Sequence, residues 1–303
     1  MVGSKHLDNQ YDVVVIGAGM SGLTLATALT AAGKKVLVLE KARGSGGRLS
    51  SKRIRVDEIN SVSFDLGCST FSAESDIFRQ QVNQWIDQGA AASIHGQQRM
   101  DAIVGVPRNS SITRLMADAL DVRFSSRLVN ISRYDNQWLC ELEDEDTPSY
   151  LTPNLVLAVP PQQLATLLPQ GHAQKNALSD VHMQAQWVLM LELDEAVDLS
   201  MIDLGQHTHI IEKINCDSNK PNRQNRSGRK NWLIHAASSW TADHLDVERS
   251  KIALALIRHL EESTSLHLNA YASYAHRWLY STGTNLLNAS QSYIDLGSQL
   301  YGC

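Results

Sequence analysis

The sequence predicts an α/β chain in which a domain built on a parallel sheet is interrupted by an inserted α+β domain. Three observations lead there. The run Val13-Val14-Val15-Ile16 is followed by a helical pattern and then by a second apolar run, Val36-Leu37-Val38-Leu39. Continuous β-branched and aliphatic runs of this length suit strands buried on both faces of a parallel sheet. Beyond residue 130 the pattern changes to alternating strands separated by isolated helices. The 303 residues are also enough for about two domains.

Each element has its own signal. Ser21 to Ala32 carries Leu23, Ala26 and Leu29 near helical spacing, and Gly33 is placed to end that helix. Together with its two strands it makes a βαβ unit, whose crossover is expected to be right-handed. Ser75 is placed to cap a helix with Phe78, Val82, Trp85 and Ile86 inward, and Ile112, Leu115, Met116 and Ala119 mark another. Trp138, Cys140 and Leu142 alternate with polar neighbours, as in an antiparallel strand with one wet face. Leu155 to Val159 reads as a buried strand stopped by Pro160-Pro161. Trp187 to Leu193, Trp232 to Ala236 and Tyr271 to Tyr280 read as further strands, and Val247 to Leu260 as a helix capped by Asp246. The stretch from Lys213 to Asn231 has almost no large apolar residue and is expected to be a solvated loop, the alternative being a basic patch for a phosphate or acidic partner. The acidic run from Glu141 to Asp146 is expected to be a solvated hairpin turn.

Composition excludes several functions. There are 27 Lys and Arg against 32 Asp and Glu, a net charge of −5, so the basic excess of a nucleic-acid binder is missing. No apolar run approaches the ~20 residues of a membrane span, so no membrane partner is expected. The polar segment from Met1 to Tyr11 has no apolar signal region. Cys68, Cys140, Cys216 and Cys303 are widely spaced with no Cys-x-x-Cys pair. No metal site is expected, and isolated thiols point to a cytoplasmic protein.

The chemistry is concentrated near the N-terminus. The turn after the first strand is Gly17-Ala18-Gly19-Met20-Ser21-Gly22. Gly17 permits the tight turn, Gly19 lets backbone approach a pyrophosphate, and Gly22 lets helix pack on strand. The helix N-terminus then presents free N–H groups to phosphate. Glu40 ends the second strand, where an acid can accept hydrogen bonds from ribose hydroxyls and repel a 2′-phosphate, which argues against NADP in this pocket. A second glycine-rich loop follows, Lys41-Ala42-Arg43-Gly44-Ser45-Gly46-Gly47-Arg48. Such a loop is unusual for plain NAD dehydrogenases. Arg48 can pair with a pyrophosphate as a bidentate donor.

Taken together, the GxGxxG turn, Glu40 and Gly46-Gly47-Arg48 resemble the FAD-binding signature of the flavin amine oxidase and phytoene desaturase superfamily. The string from Lys41 to Arg53 is similar, more specifically, to bacterial renalase-like flavoproteins. Phe64-Asp65-Leu66-Gly67, Val104-Gly105-Val106-Pro107, Val156-Leu157-Ala158-Val159-Pro160 and His276-Arg277-Trp278 extend that resemblance over most of the chain. It implies a Rossmann-like FAD-binding domain with an inserted α+β substrate domain of antiparallel sheet and helices. The expected FAD-binding segments are 8–72, 102–163 and 270–303, with 73–101 and 164–269 forming the substrate domain. The resemblance places Lys41 with the FAD contacts, Ser69 and Thr70 beside the isoalloxazine ring and Leu128, in the pattern Leu128-x-x-Ile131, on the adenine side. It also implies a further Gly-Asp segment and a last helix beyond Cys303, whose lack is expected to weaken FAD retention.

The reaction implied is hydride transfer to flavin N5 from dihydronicotinamide isomers reduced at the 2 or 6 position, with dioxygen as acceptor and hydrogen peroxide as product. An amine oxidase or desaturase activity on the same fold is the alternative. A non-catalytic nucleotide-binding protein is a third reading. Lys52 and Arg53 are candidates to stabilise the reduced, anionic flavin. His276 and Trp278 share one strand face with Tyr280 and are candidates to line the substrate cleft, while Arg277 points the other way.

Overall fold

The computed structural model describes residues 7–8, 10–94, 100–144, 146–206, 209–284 and 293–303. The chain divides into two compact units, residues 1–47, 113–182 and 283–303 in one and 48–112 with 183–282 in the other.

The first unit is organised by a six-stranded sheet, in the order Ile294–Gly297, Leu300–Gly302, Asn154–Leu157, Val13–Ile16, Val36–Leu39 and Asp121–Arg123. All neighbours are parallel except the first pair. The central strands are buried along their whole length, because alternate residues feed two cores. Val13, Val15, Val36 and Val38 pack with Leu23 and Ala26 of the helix Met20–Ala31. Val14, Ile16, Leu37 and Leu39 pack instead with Trp138, Cys140 and Leu142. Those last residues lie on the strand Gln137–Leu142 of a second, four-stranded sheet, where it runs antiparallel to Leu128–Tyr134 and Ser149–Thr152. A strand with two apolar faces must read as an unbroken hydrophobic run, which is what the sequence shows. The acidic turn that follows is exposed at Glu143, Asp144 and Asp146, and Glu145 lies outside the described residues.

The second unit is built on a four-stranded sheet in the order Ile211–Cys216, Arg229–Ala236, Met183–Asp194 and Ala272–Gly283. One face packs Leu189, Leu191 and Ile234 against Ile252, Leu256 and Leu260 of the helix Arg249–Thr264. The other packs Val188, Met190 and Leu233 against Val62, Phe64 and Leu66. The latter residues come from the hairpin Ser51–Arg55 and Ser61–Asp65 and the turn after it. This packing draws residues 48–72 into the second unit, whereas the sequence placed them with the FAD-binding segments. Residues 102–112 and 270–282 also fall in the second unit, and 164–182 in the first.

Three local expectations are corrected. Lys213–Asn231 is not a solvated loop: it contains the end of one strand, the start of another and the 3-10 turn Asp217–Asn219. Asp217 and Lys220 in it are buried. Asp217, Lys220 and Arg223 are paired with one another and with Asp65 inside the protein, which hydropathy alone does not reveal. Asp246 does not cap the helix Arg249–Thr264; Glu248 occupies the cap position without a side-chain bond, and Asp246 pairs with Arg277. The helix Ser110–Asp118 buries Ile112, Thr113 and Ala117, while Ala119 lies beyond its end and is exposed. Ser75 does cap the helix Asp76–Asp87, its hydroxyl accepting from Phe78 N at 3.2 Å. No helix among the described residues is long and apolar enough to cross a membrane.

Candidate functional site

In the first unit the strand Val13–Ile16 runs into the Gly17–Gly22 turn, and the helix begins at Met20. Gly17 adopts φ +108°, and a Cβ there would meet the Ala158 carbonyl oxygen at 2.4 Å. A Cβ on Gly22 would meet the Gly17 carbonyl oxygen at 2.1 Å. Neither position admits a side chain. The helix N-cap is Gly19, without a side-chain cap and with no acidic residue in the first turn. Its first N–H groups and partial positive charge therefore remain available to an anion.

The second glycine loop closes on the first. Gly46 N donates to Ala18 O at 3.0 Å, and a bridge pairs Gly19 with Gly46. Glu40 joins the two: its Oε2 accepts from Ala18 N and its Oε1 from Ala42 N, each at 2.8 Å. Each carboxylate oxygen keeps a further lone pair, so Glu40 can still accept from ribose hydroxyls. Ser126 N donates to Glu40 O at 2.9 Å, and Leu128 follows two residues after Ser126 at the start of its strand. Leu128 itself is buried. Lys41 is exposed, its Nζ donating to Gln163 Oε1 at 3.2 Å. Met20 is half-buried and Ser21 exposed. A turn closed to Cβ atoms, an uncapped helix N-terminus and a ribose-type acid fit the adenosine pyrophosphate half of FAD.

In the second unit a cavity of about 350 Å³ is lined by Arg48, Ser69, Thr70 and Trp278 among the residues anticipated from sequence. Cys68, Gln186, Glu212, Lys213, His235 and Ser281 complete most of its wall. Arg48 donates from Nη1 to Ser281 O at 3.2 Å. Ser69 is buried and its hydroxyl accepts from Lys213 Nζ at 2.9 Å. Trp278 Nε1 donates to Leu66 O at 3.1 Å. Burial pushes the Cys68 thiol above its usual range, which keeps it an unreactive neutral group at pH 7.

Lys52, Arg53 and His276 do not line this cavity. Lys52 Nζ lies 4.8 Å from the Tyr274 ring centroid, and Arg53 is exposed and bonded to the Ser61 hydroxyl. His276 packs edge-to-face on Trp278 at 4.9 Å. Burial, then Arg249 and Lys52, lowers its pKa to about 4. Arg277 turns away, donating to Leu245 O.

Sequence reasoning missed Lys213 and His235, because both lie where hydropathy indicated either loop or core strand. It also missed the group that holds the cavity wall in place. Asp65, fully buried, accepts from Asn109 N at 2.8 Å and from Lys220 Nζ at 2.8 Å, and pairs with Arg223. Asn109 Nδ2 then donates to Cys68 O at 2.6 Å, so one network carries the segment that bears Ser69 and Thr70. Asp217 stands in the same network, its carboxyl raised above the usual range first by burial and then by Asp65. Among the described residues, no group of three His, Cys, Asp or Glu side chains is arranged to hold a metal.

A parallel sheet whose first βαβ turn is shaped for a dinucleotide, in a chain that also carries a unit with an antiparallel sheet, defines a Rossmann-like α/β protein. Comparisons with known proteins agree on that class. Residues 15–87 match the family of NAD(P)-binding Rossmann-like domains. An L-amino-acid oxidase of Echis ocellatus is 51% identical over 51 residues, which is 17% of this chain and 10% of that protein. The matched stretch is thus a small part of either molecule. A structure assigned as a protoporphyrinogen oxidase from Exiguobacterium sp. 255-15 superposes with a TM-score of 0.66 at 12% identity, covering 93% of this chain and 88% of that one. An oxidoreductase from Methanosarcina mazei gives 0.60 at 13% identity, covering 96% and 93%. Putrescine oxidase with bound putrescine gives 0.55 at 11%, covering 88% and 85%.

Proposed function

We propose that the chain is an FAD-dependent oxidoreductase that oxidises dihydronicotinamide isomers, reduced at the 2 or 6 position, with dioxygen as acceptor. The observation that carries the cofactor is the Gly17–Gly22 turn locked to Glu40 through Ala18 N at 2.8 Å. FAD, when bound, supplies a two-electron acceptor whose reoxidation by dioxygen yields hydrogen peroxide.

The protein's own residues bind and orient. Gly17, Ala18, Gly19, Met20, Ser21 and Gly22 present backbone to the pyrophosphate, and Glu40 takes the ribose. Lys41, Gly47 and Leu128 line the adenosine side, and Arg48 offers a guanidinium to phosphate. Ser69 and Thr70 would stand beside the flavin ring. Lys52 and Arg53 contribute positive potential, and His276 supports Trp278, which walls the cavity. A carbon-bound hydride next to nitrogen needs no strong protein acid or base. That accords with a cavity in which the imidazole among the described lining residues, His235, is held neutral by burial and by Lys213 and Lys220. Four unpaired cysteines accord with a cytoplasmic location.

Amine oxidation is the second reading, favoured by the short match to L-amino-acid oxidases and the superposition on putrescine oxidase. Anaerobic mixing of the flavin-loaded chain with isomeric dihydronicotinamides, and separately with amines, decides between them. Loss of the flavin's visible absorbance with the dihydronicotinamides is expected; loss only with amines would overturn the proposal.

A further inference from the structure

We propose that Lys213 is a positioning residue for the flavin: its ammonium sets the Ser69 hydroxyl as a hydrogen-bond donor, and that donor stabilises the reduced ring. The proposal rests on the reading that the chain binds FAD with Ser69 beside the ring, and it names the residue that orients the hydroxyl.

The backbone around Ser69 is held without Lys213. Cys68 N donates to Arg48 O at 2.8 Å. Asn109 Nδ2 donates to Cys68 O at 2.6 Å and lies 3.4 Å from Ser69 O. Asn109 is itself fully buried, its Oδ1 accepting from Gly105 N at 2.8 Å and its N–H donating to Asp65 at 2.8 Å. The Cys68 thiol donates onward to Thr70 O at 2.9 Å. What this frame leaves undetermined is the side chain of Ser69, a rotor whose proton could point in several directions.

Lys213 settles that direction. Its Nζ lies 2.9 Å from Ser69 Oγ. An ammonium has donors only, so the hydroxyl oxygen accepts here and its own proton points elsewhere. Among the described residues that proton has no acceptor. Ser69 is only 7% exposed, and an unmet donor in such a place is a standing cost that an acceptor on a ligand would offset. Ser69 and Lys213 both line the cavity of the second unit.

The pair is also electrostatically suited to a ring that gains negative charge. Lys213 has no carboxylate partner among the described residues, and the acid on the same wall, Glu212, accepts instead from Gln186 Nε2 at 2.9 Å. A hydroxyl that accepts from a cation becomes a stronger donor in turn. A donor fixed in advance stabilises the charged state of its acceptor more than the neutral one. Lys213 is itself exposed, so its direct field is screened by solvent, and its influence passes through Ser69.

The test uses the full chain loaded with FAD. The reduction potential of the bound flavin is measured by anaerobic equilibration with a reference dye, in the unsubstituted chain and in Lys213→Met, Lys213→Arg, Ser69→Ala and the Lys213→Met/Ser69→Ala double variant. Lys213→Met and Ser69→Ala are each expected to weaken binding of reduced relative to oxidised flavin by about tenfold, a potential lower by about 30 mV for a two-electron couple. The double variant is expected to match Ser69→Ala within about twofold, because Lys213 then has nothing left to orient. Lys213→Arg keeps a donor and is expected to recover most of the shift. An unchanged potential in Lys213→Met would overturn the proposal, and so would additive losses in the double variant, which mark a direct charge effect. If Ser69→Ala fails to fold, Lys213→Met and Lys213→Arg still decide: loss with recovery supports the role, and loss without recovery overturns it. Potential shifts in a chain whose flavin is bleached only by amines would keep Lys213 in its role and overturn the dihydronicotinamide reading. A chain that takes up no FAD would overturn both.

Discussion

Glu40 and Ala18 are tied across the first crossover by a single bond, Oε2 accepting from the backbone N–H at 2.8 Å. The acid expected to hold ribose is thereby also the group that fixes the glycine turn, and its second oxygen fixes Ala42 at the start of the next loop. Both bonds are charge-assisted. Glu40→Gln keeps the size but replaces one acceptor oxygen by a donor that repels an N–H. It is expected to weaken FAD binding by about tenfold or more, on the order of 1.5–3 kcal/mol. Titration of flavin fluorescence checks this, and unchanged affinity would detach Glu40 from the site.

Gly22→Ala is expected to be more damaging. The added methyl would sit 2.1 Å from the Gly17 carbonyl oxygen, and a backbone atom cannot yield as a flexible side chain can. The helix must move away from the strand, and the cradle opens. Loss of measurable FAD uptake is expected, with stability reduced by about 1–3 kcal/mol. Denaturant melts and flavin retention after gel filtration report the two effects.

Asp65 holds two buried cations, Lys220 and Arg223. Asp65→Ala leaves Asp217 as the only carboxylate facing both among the described residues. Removal of one partner from a buried pair costs about 3–5 kcal/mol, most of it the charge left behind. The denaturation midpoint is therefore expected to fall steeply, whereas an exposed pair such as Arg79 with Asp76 is expected to contribute no more than about 1 kcal/mol. Similar losses at the two sites would contradict the buried network.

His235 and His276 both have pKa values lowered to about 4 by burial and neighbouring cations. An unfolded chain binds protons at these imidazoles near pH 6.5, earlier than the folded one. Their contribution to stability is complete above pH 6.5 and is lost as pH falls towards 4. At pH 4.5 the loss is on the order of 2–3 kcal/mol per imidazole. Urea melts at pH 7 and pH 4.5, repeated on His235→Gln, check the sign: the variant is expected to show the smaller drop.

Much of the first unit was legible from residue order alone. The runs at 13–16 and 36–39, the glycines between them and Glu40 are local features, and their chemistry acts over a few residues. The helix cap at Ser75 was legible for the same reason. Lys213, His235 and the Asp65 network were not, because their meaning comes from partners far along the chain, 49 residues away for His235 and Gln186, 144 for Lys213 and Ser69 and 155 for Asp65 and Lys220. Asp65 meets Lys220 and Arg223 only after the hairpin at 51–65 has packed on the sheet. A polar, lysine-rich stretch reads as solvent-exposed until the carboxylates that neutralise it are located. Arg48 and Trp278 were named for their motifs, and both stand on the cavity wall. Lys52, Arg53 and His276 were named beside them and stand off it.

Calorimetric titration of the full chain with FAD, NAD and NADP tests the central claim most directly. FAD is expected to bind with a dissociation constant at least about a hundredfold below either nicotinamide coenzyme, a difference of roughly 2.7 kcal/mol. A chain that takes up no FAD, or binds NAD more tightly, would contradict the account.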